Sequence, residues 1–107
     1  MSDLVAANLK AWEEVASIHA RHNQTRLLKA FAQPDLMALD EVDVTRLKAL
    51  GIDGASVVQV CCNNGQEVLS TQRLGAARIA GVDGSQGFID QAGELARAAW
   101  VDATFVA

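Results

Sequence analysis

The reading of this chain turns on Ser56-Val57-Val58-Gln59-Val60-Cys61-Cys62-Asn63-Asn64-Gly65. Its opening run is mostly apolar and rich in β-branched side chains, and the Asn63-Asn64-Gly65 turn bounds it, which predicts a strand over Ser56 to Cys62 buried on both faces. Strands buried that way belong to parallel sheets. From Gln66 to Leu74 the pattern turns helical and ends at Gly75, and Arg78-Ile79-Ala80-Gly81-Val82-Asp83 reads as a second short strand. Ser85 then caps a helix whose Phe88, Ala92, Leu95, Ala96 and Ala99 share one face, and Ala103 to Val106 is a third strand. Strand, helix, strand, helix, strand is the first half of a doubly wound sheet with right-handed crossovers. The expected fold class is therefore α/β, with N-terminal helices followed by a three-stranded parallel sheet.

Upstream, the chain reads as all-helical. After the capping types Ser2 and Asp3, Val5, Leu9, Trp12, Ala16 and Ile18 recur at three- and four-residue spacing, predicting an amphipathic helix from about Asp3 to His22. Asn23-Gln24 is expected to interrupt it, a short helix over Thr25 to Ala32 to follow, and Gln33-Pro34-Asp35 to stop that one, because the residue before proline is pushed out of the helical region. Asp40 or Asp43 can cap a third helix in which Val44, Leu47 and Leu50 share a face, with Gly51 as its left-handed stop. Residues 1–50 are thus a helical segment and 51–107 the sheet-forming part.

Composition narrows the function. Half of the 107 residues are apolar, and 9 Lys and Arg stand against 13 Asp and Glu, a net charge of -4. That balance argues against nucleic acid, whose phosphates need clustered positive charge. No apolar run reaches the roughly 18 to 20 residues that span a bilayer, and no basic start leads into an apolar signal core, so no membrane association and a cytoplasmic location are expected. The two cysteines are neighbours, a poor geometry for a disulfide, which fits a reducing compartment.

Ligands of such sheets bind beyond the carboxyl ends of the strands. Two places there carry readable chemistry. Asn63-Asn64-Gly65 turns tightly into a helix, and Gly65 would let backbone approach a ligand at the helix start. Asp83 ends the second strand about twenty residues later, where a carboxylate can accept hydrogen bonds from both ribose hydroxyls. Together they suggest a cofactor that contains a nucleoside.

These blocks resemble a family. Val57-Val58-Gln59-Val60-Cys61-Cys62-Asn63-Asn64-Gly65-Gln66-Glu67, then Leu74-Gly75-Ala76, then Gly81-Val82-Asp83-Gly84-Ser85, are similar to motif I and the second-strand motif of class I S-adenosylmethionine-dependent methyltransferases. Asn8, Trp12-Glu13 and Ile18-His19 resemble the helical lid of their small-molecule members. The resemblance implies a Rossmann-like domain, S-adenosylmethionine as cofactor and a small-molecule methyl acceptor. It also implies a cofactor site of Cys61, Cys62, Asn63, Gly65, Asp83, Gly84 and Ser85, in which the Cys61 to Gly65 turn approaches the methionine part and Asp83 holds the ribose. The chain departs from the family pattern at Gln59, where an acidic residue is usual, and at Cys61 and Asn63, where glycines are usual. Members of the family carry about seven strands, so the chain resembles a truncated amino-terminal half, expected to bind cofactor at most and to catalyse little alone. A bare edge on the Val57 to Cys61 strand is expected to favour a homo-oligomer, through sheet pairing or exchange of the helical segment.

Plainer roles stand beside these. Cys61 and Cys62 read as small buried residues without a base or further metal ligands near them. His19 and His22, three apart on a helix, lack a third metal ligand in any recognisable pattern, so no metal is expected. Trp12 reads as core or lid packing, and Trp100 as added interface area. Glu13, Glu14, Arg21, Arg26 and Lys29 read as a solvated helix face. The alternative function is a non-enzymatic oligomerising scaffold that has lost the cofactor site; a dinucleotide-binding half-domain is disfavoured by the absent Gly-x-Gly-x-x-Gly turn.

Overall fold

Three short side chains start three of the helices. Ser2 accepts the Val5 N–H at 3.2 Å and opens α1 (Asp3–His19); Asp40 accepts the Asp43 N–H at 2.8 Å and opens α3 (Glu41–Ala49); Ser85 accepts the Phe88 N–H at 3.2 Å and opens α5 (Gln86–Ala99). Each satisfies a backbone donor that the helix itself leaves orphaned. Between α1 and α2 (Thr25–Phe31), the computed structural model, which describes residues 2–107, shows one π-helical turn over Ala20–Gln24 in place of the break that Asn23-Gln24 predicts. The reason is tertiary. Gln24 is buried, and its Nε2 donates to the Gln91 carbonyl on α5 at 3.3 Å, holding the pair in helical backbone. Gly51 (φ +85°) ends α3 as expected, but Leu50 points to solvent and leaves Val44 and Leu47 as the inward face.

The sheet is formed by β1 (Ser56–Val60), β2 (Arg78–Val82) and β3 (Ala103–Val106), all parallel in the order β1-β2-β3. Helix α4 (Gln66–Gln72) joins the first two strands and α5 the last two. The register places Gln59 beside Gly81 and Gly81 beside Phe105. One expectation is corrected here. β1 stops at Val60, two residues short of Cys62, and it is covered on one face only. Both crossovers step in the same direction across the sheet, and right-handed crossovers of the same sense put α4 and α5 on the same side. Val57, Ile79 and Phe105 therefore pack with Val68, Leu69 and Leu95 of the helices. Val58 and Val60, on the opposite face, are 62% and 72% exposed.

The core joins the two segments that the sequence separates at residue 50. Leu27 and Phe31 of α2 lie in one cluster with Ile52, Val68, Leu69, Ile79 and Leu95. Arg73, just past α4, donates from Nη2 to the Phe31 carbonyl at 2.8 Å and from Nη1 to the Leu36 carbonyl at 2.6 Å, with its guanidinium 5.7 Å from the centre of the Phe31 ring. Among the described residues no helix is long and apolar enough to cross a membrane.

Candidate functional site

The backbone is most unusual at the carboxyl end of β1. Cys61 and Asn63 adopt φ of +57° and +56°, a left-handed conformation that side-chain-bearing residues enter at a cost, and Gly65 follows at +80°. Hydrogen bonds hold this turn. The Asn63 N–H donates to Asp83 Oδ2 at 2.8 Å, the Asn64 N–H to Asn63 Oδ1 at 2.8 Å, and the Cys62 N–H to the Val82 carbonyl at 3.0 Å. Asp83 Oδ1 accepts a second backbone donor, Ser85 N–H, at 2.9 Å. One carboxylate thus ties the turn after β1 to the turn after β2. Each of its oxygens keeps a further acceptor direction.

Opposite this pair of turns lies α1. Asn8, Leu9 and Trp12 face Cys61, Asn63, Asp83 and Gly84 across a cleft of about 290 Å³. Several contacts seat the helix there. Leu9 packs so closely on Gly84 that any side chain at that position would strike it. Glu13 Oε1 accepts the Gly87 N–H at 2.8 Å, meeting an orphan donor in the first turn of α5. Gln91 donates from Nε2 to the Ala16 carbonyl at 2.8 Å, and its Oε1 lies 3.1 Å from His19 Nδ1. The Trp12 ring is tilted against Phe88 and the His19 ring meets it edge-on, with centroids 6.4 and 5.7 Å away.

Of the residues expected at a cofactor site, Cys61, Asn63, Asp83 and Gly84 line this cleft. Cys62, Gly65 and Ser85 stand elsewhere. The two cysteines part company: Cys61, read from the sequence as buried, is exposed, because its left-handed backbone turns the chain out of the sheet. Cys62 is buried beside Gly81, and burial, with the Asp83 charge adding, pushes its thiol from an ordinary 9.0 up to about 11. A Cβ on Gly65 would sit 2.9 Å from Phe105 Cζ and 3.0 Å from the Ala92 methyl, so its bareness serves the fit of turn to sheet and helix. Ser85 is fully buried as the α5 cap. Gln59 Oε1 is buried without a partner among the described residues, and Gln59 lines a groove beside β1, away from the cleft. Among the described residues no three His, Cys, Asp or Glu side chains gather as a metal site, and His19 is engaged by Gln91. Gln91, the packing of Leu9 on Gly84 and the latch role of Glu13 escape a sequence reading: Leu9 is legible there only as part of an apolar stripe and Glu13 as a solvated or lid residue, and only the docking of α1 on α5 gives Glu13 its donor.

No protein-family model and no curated protein matches this chain. A solved structure reported under the words "Conversion of a Disulfide Bond into a Thioacetal Group during Echinomycin Biosynthesis" is similar to it, with a TM-score of 0.52 and 29% identity over 61% of this chain. The match spans 28% of that protein, so this chain corresponds to little more than a quarter of its length. The helices followed by a parallel sheet with alternating helices are a Rossmann-like α/β arrangement, and the likeness supports a methyltransferase-like fold.

Proposed function

We propose that this chain is the cofactor-binding part of a methyltransferase-like protein and that the cleft between α1 and the ends of β1 and β2 takes S-adenosylmethionine. The observation that carries the reading is the convergence of Asp83, the strained Cys61–Asn63 turn and Trp12 of α1 on one cleft. The residues fit such a group in part. Asp83 retains outward acceptor directions for ribose hydroxyls, although both oxygens also hold backbone donors. The cleft volume of about 290 Å³ is at the low end for ligand pockets, about 300 to 1,000 Å³, and suits the ribose with the methionine arm, leaving the base outside. When bound, the cofactor supplies a methyl group on a positively charged sulfur. The chain's own part is to hold the ribose at Asp83 and to shield it under Trp12. A thioacetal carries two sulfurs on one carbon, so the reaction named for the similar protein makes a new carbon–sulfur bond, in keeping with sulfur-centred chemistry. The acceptor in this reading is a small molecule.

Titration calorimetry with S-adenosylhomocysteine tests it. The expected result is binding near the micromolar range, about -8 kcal/mol, that is lost in Asp83→Ala. A second reading is favoured by the same carboxylate: Asp83 is already accounted for by two backbone donors, as a residue of a scaffold that binds no nucleoside would be. A well-folded chain that shows no heat with the nucleoside selects that reading.

A further inference from the structure

The cleft under α1 is chemically lopsided. We infer that it selects its ligand by charge: Trp12 and Asp83 together hold a positively charged sulfur, so the cleft prefers S-adenosylmethionine to the same molecule stripped of its methyl group and its charge. This deepens the cofactor reading and rests on it.

Three observations converge. First, of the side chains that line the cleft, Asp83 is the one carboxylate and Trp12 the one aromatic ring, and no lysine, arginine or histidine joins them among the described residues. An indole is the best of the side-chain rings at attracting a cation to its face, and a nearby carboxylate adds to the attraction. Second, neighbouring residues fix both groups. The Trp12 ring is tilted by 60° against Phe88 with the centroids 6.4 Å apart. Its helix is seated on either side of it, by Leu9 on Gly84 and by Glu13 on the Gly87 N–H at 2.8 Å. Asp83 is held by the N–H groups of Asn63 and Ser85. Side chains that are already ordered lose little entropy when a ligand arrives. Third, the Asp83 charge is felt beyond its own hydrogen bonds, since it adds to burial in raising the Cys62 thiol.

Connectivity places the sulfur. In the cofactor reading Asp83 holds the ribose and the Cys61–Asn63 turn takes the methionine arm. The sulfur joins those two parts, so it falls between Asp83 and the turn. Leu9 fills the Gly84 end of the cleft, and of the α1 side chains Trp12 and the neutral amide of Asn8 remain opposite this place. A neutral thioether gains only contact there. A sulfonium gains the ring face and the carboxylate field as well.

Titration calorimetry of the full chain with S-adenosylmethionine and S-adenosylhomocysteine, side by side, tests this. The charged form is expected to bind about fivefold more tightly. An analogue that carries a protonated amine on carbon in place of the methylated sulfur is expected to share that advantage. Trp12→Leu removes the ring and is expected to bring the ratio of the two affinities down toward one. A cleft that is merely loosened weakens both ligands alike and leaves the ratio unchanged. Tetrafluorotryptophan in place of Trp12, introduced by nonsense suppression, keeps the shape of the ring while fluorine draws electron density from its face. It is expected to lower the ratio as Trp12→Leu does, with the affinity for S-adenosylhomocysteine unaltered. Equal binding of the two forms, or tighter binding of the neutral one, overturns the inference and leaves the cofactor reading standing, as does a ratio that fluorination does not move. A folded chain that binds neither form overturns both.

Discussion

Asp83 and the two cysteines show how much one side chain's surroundings decide. Asp83 accepts from Asn63 and Ser85, so Asp83→Asn must turn an amide N–H toward one of those donors. The expected loss is about 1 kcal/mol, read as a lower urea midpoint, for one partly buried donor left unmatched. Nucleoside binding at wild-type strength in that variant would argue that the carboxylate serves the turn alone. The cysteines differ although they are adjacent. Cys61 is exposed and Cys62 buried with its thiol raised to about 11. Iodoacetamide at pH 8 is expected to alkylate Cys61 in the folded chain and Cys62 only after denaturation, as peptide mass spectrometry would read. The sign of the pH effect follows. The fold favours the protonated thiol, so this contribution is whole below about pH 9 and is lost as pH climbs toward 11. Cys62→Ala should flatten the alkaline end of the stability profile.

Among the elements, α1 and α5 are tied by polar contacts that alternate with the packing of Trp12 and His19 on Phe88. Glu13 on the Gly87 N–H is the exposed latch, and Gln91 with Ala16 and His19 the buried one. Glu13→Ala is expected to cost about 1 kcal/mol and to speed amide exchange across residues 3–19 while β2 and α5 stay protected, since an exposed charged hydrogen bond contributes modestly. Uniform acceleration over the whole chain would mean instead that α1 does not open as a unit. Within α5, Leu95 is wholly buried against α2 and the sheet, and Leu95→Ala should remove about 2 to 5 kcal/mol, a far larger effect measured by the same denaturation.

For the whole molecule, the shared core governs cooperativity. Leu27 and Phe31 from the helical segment and Val68, Leu69 and Leu95 from the sheet-forming part occupy one cluster, and Arg73 pins the carbonyls of Phe31 and Leu36. Urea unfolding followed by Trp12 fluorescence, with Trp100 replaced by Phe, is expected to coincide with far-ultraviolet circular dichroism. Separate midpoints would show that residues 2–50 unfold by themselves. Trp100 is 94% exposed in a left-handed cap, so its loss removes signal without disturbing the core.

The signals legible in the sequence are the local ones. Ser2, Asp40 and Ser85 cap their helices through bonds three residues long, Gly51 and Gly75 turn where left-handed backbone is needed, and the β-branched runs at Ser56 and Arg78 follow a short-range preference for strands. Periodicity likewise marks Phe88, Ala92 and Leu95 as the inner face of α5. What the sequence does not contain is the side of the sheet on which each helix lands. An apolar strand reads the same whether covered once or twice, and only the common sense of the two crossovers puts α4 and α5 on the same face, the one opposite Val58 and Val60. The site divides in the same way. Asp83 and Asn63 are visible as residues at the ends of strands, while the latch of Glu13, the wall of Leu9 and the burial of Gly65 against Phe105 arise from residues many positions apart. Hydrogen bonds and packing across such separations depend on where whole elements dock, and docking is decided by the tertiary structure alone.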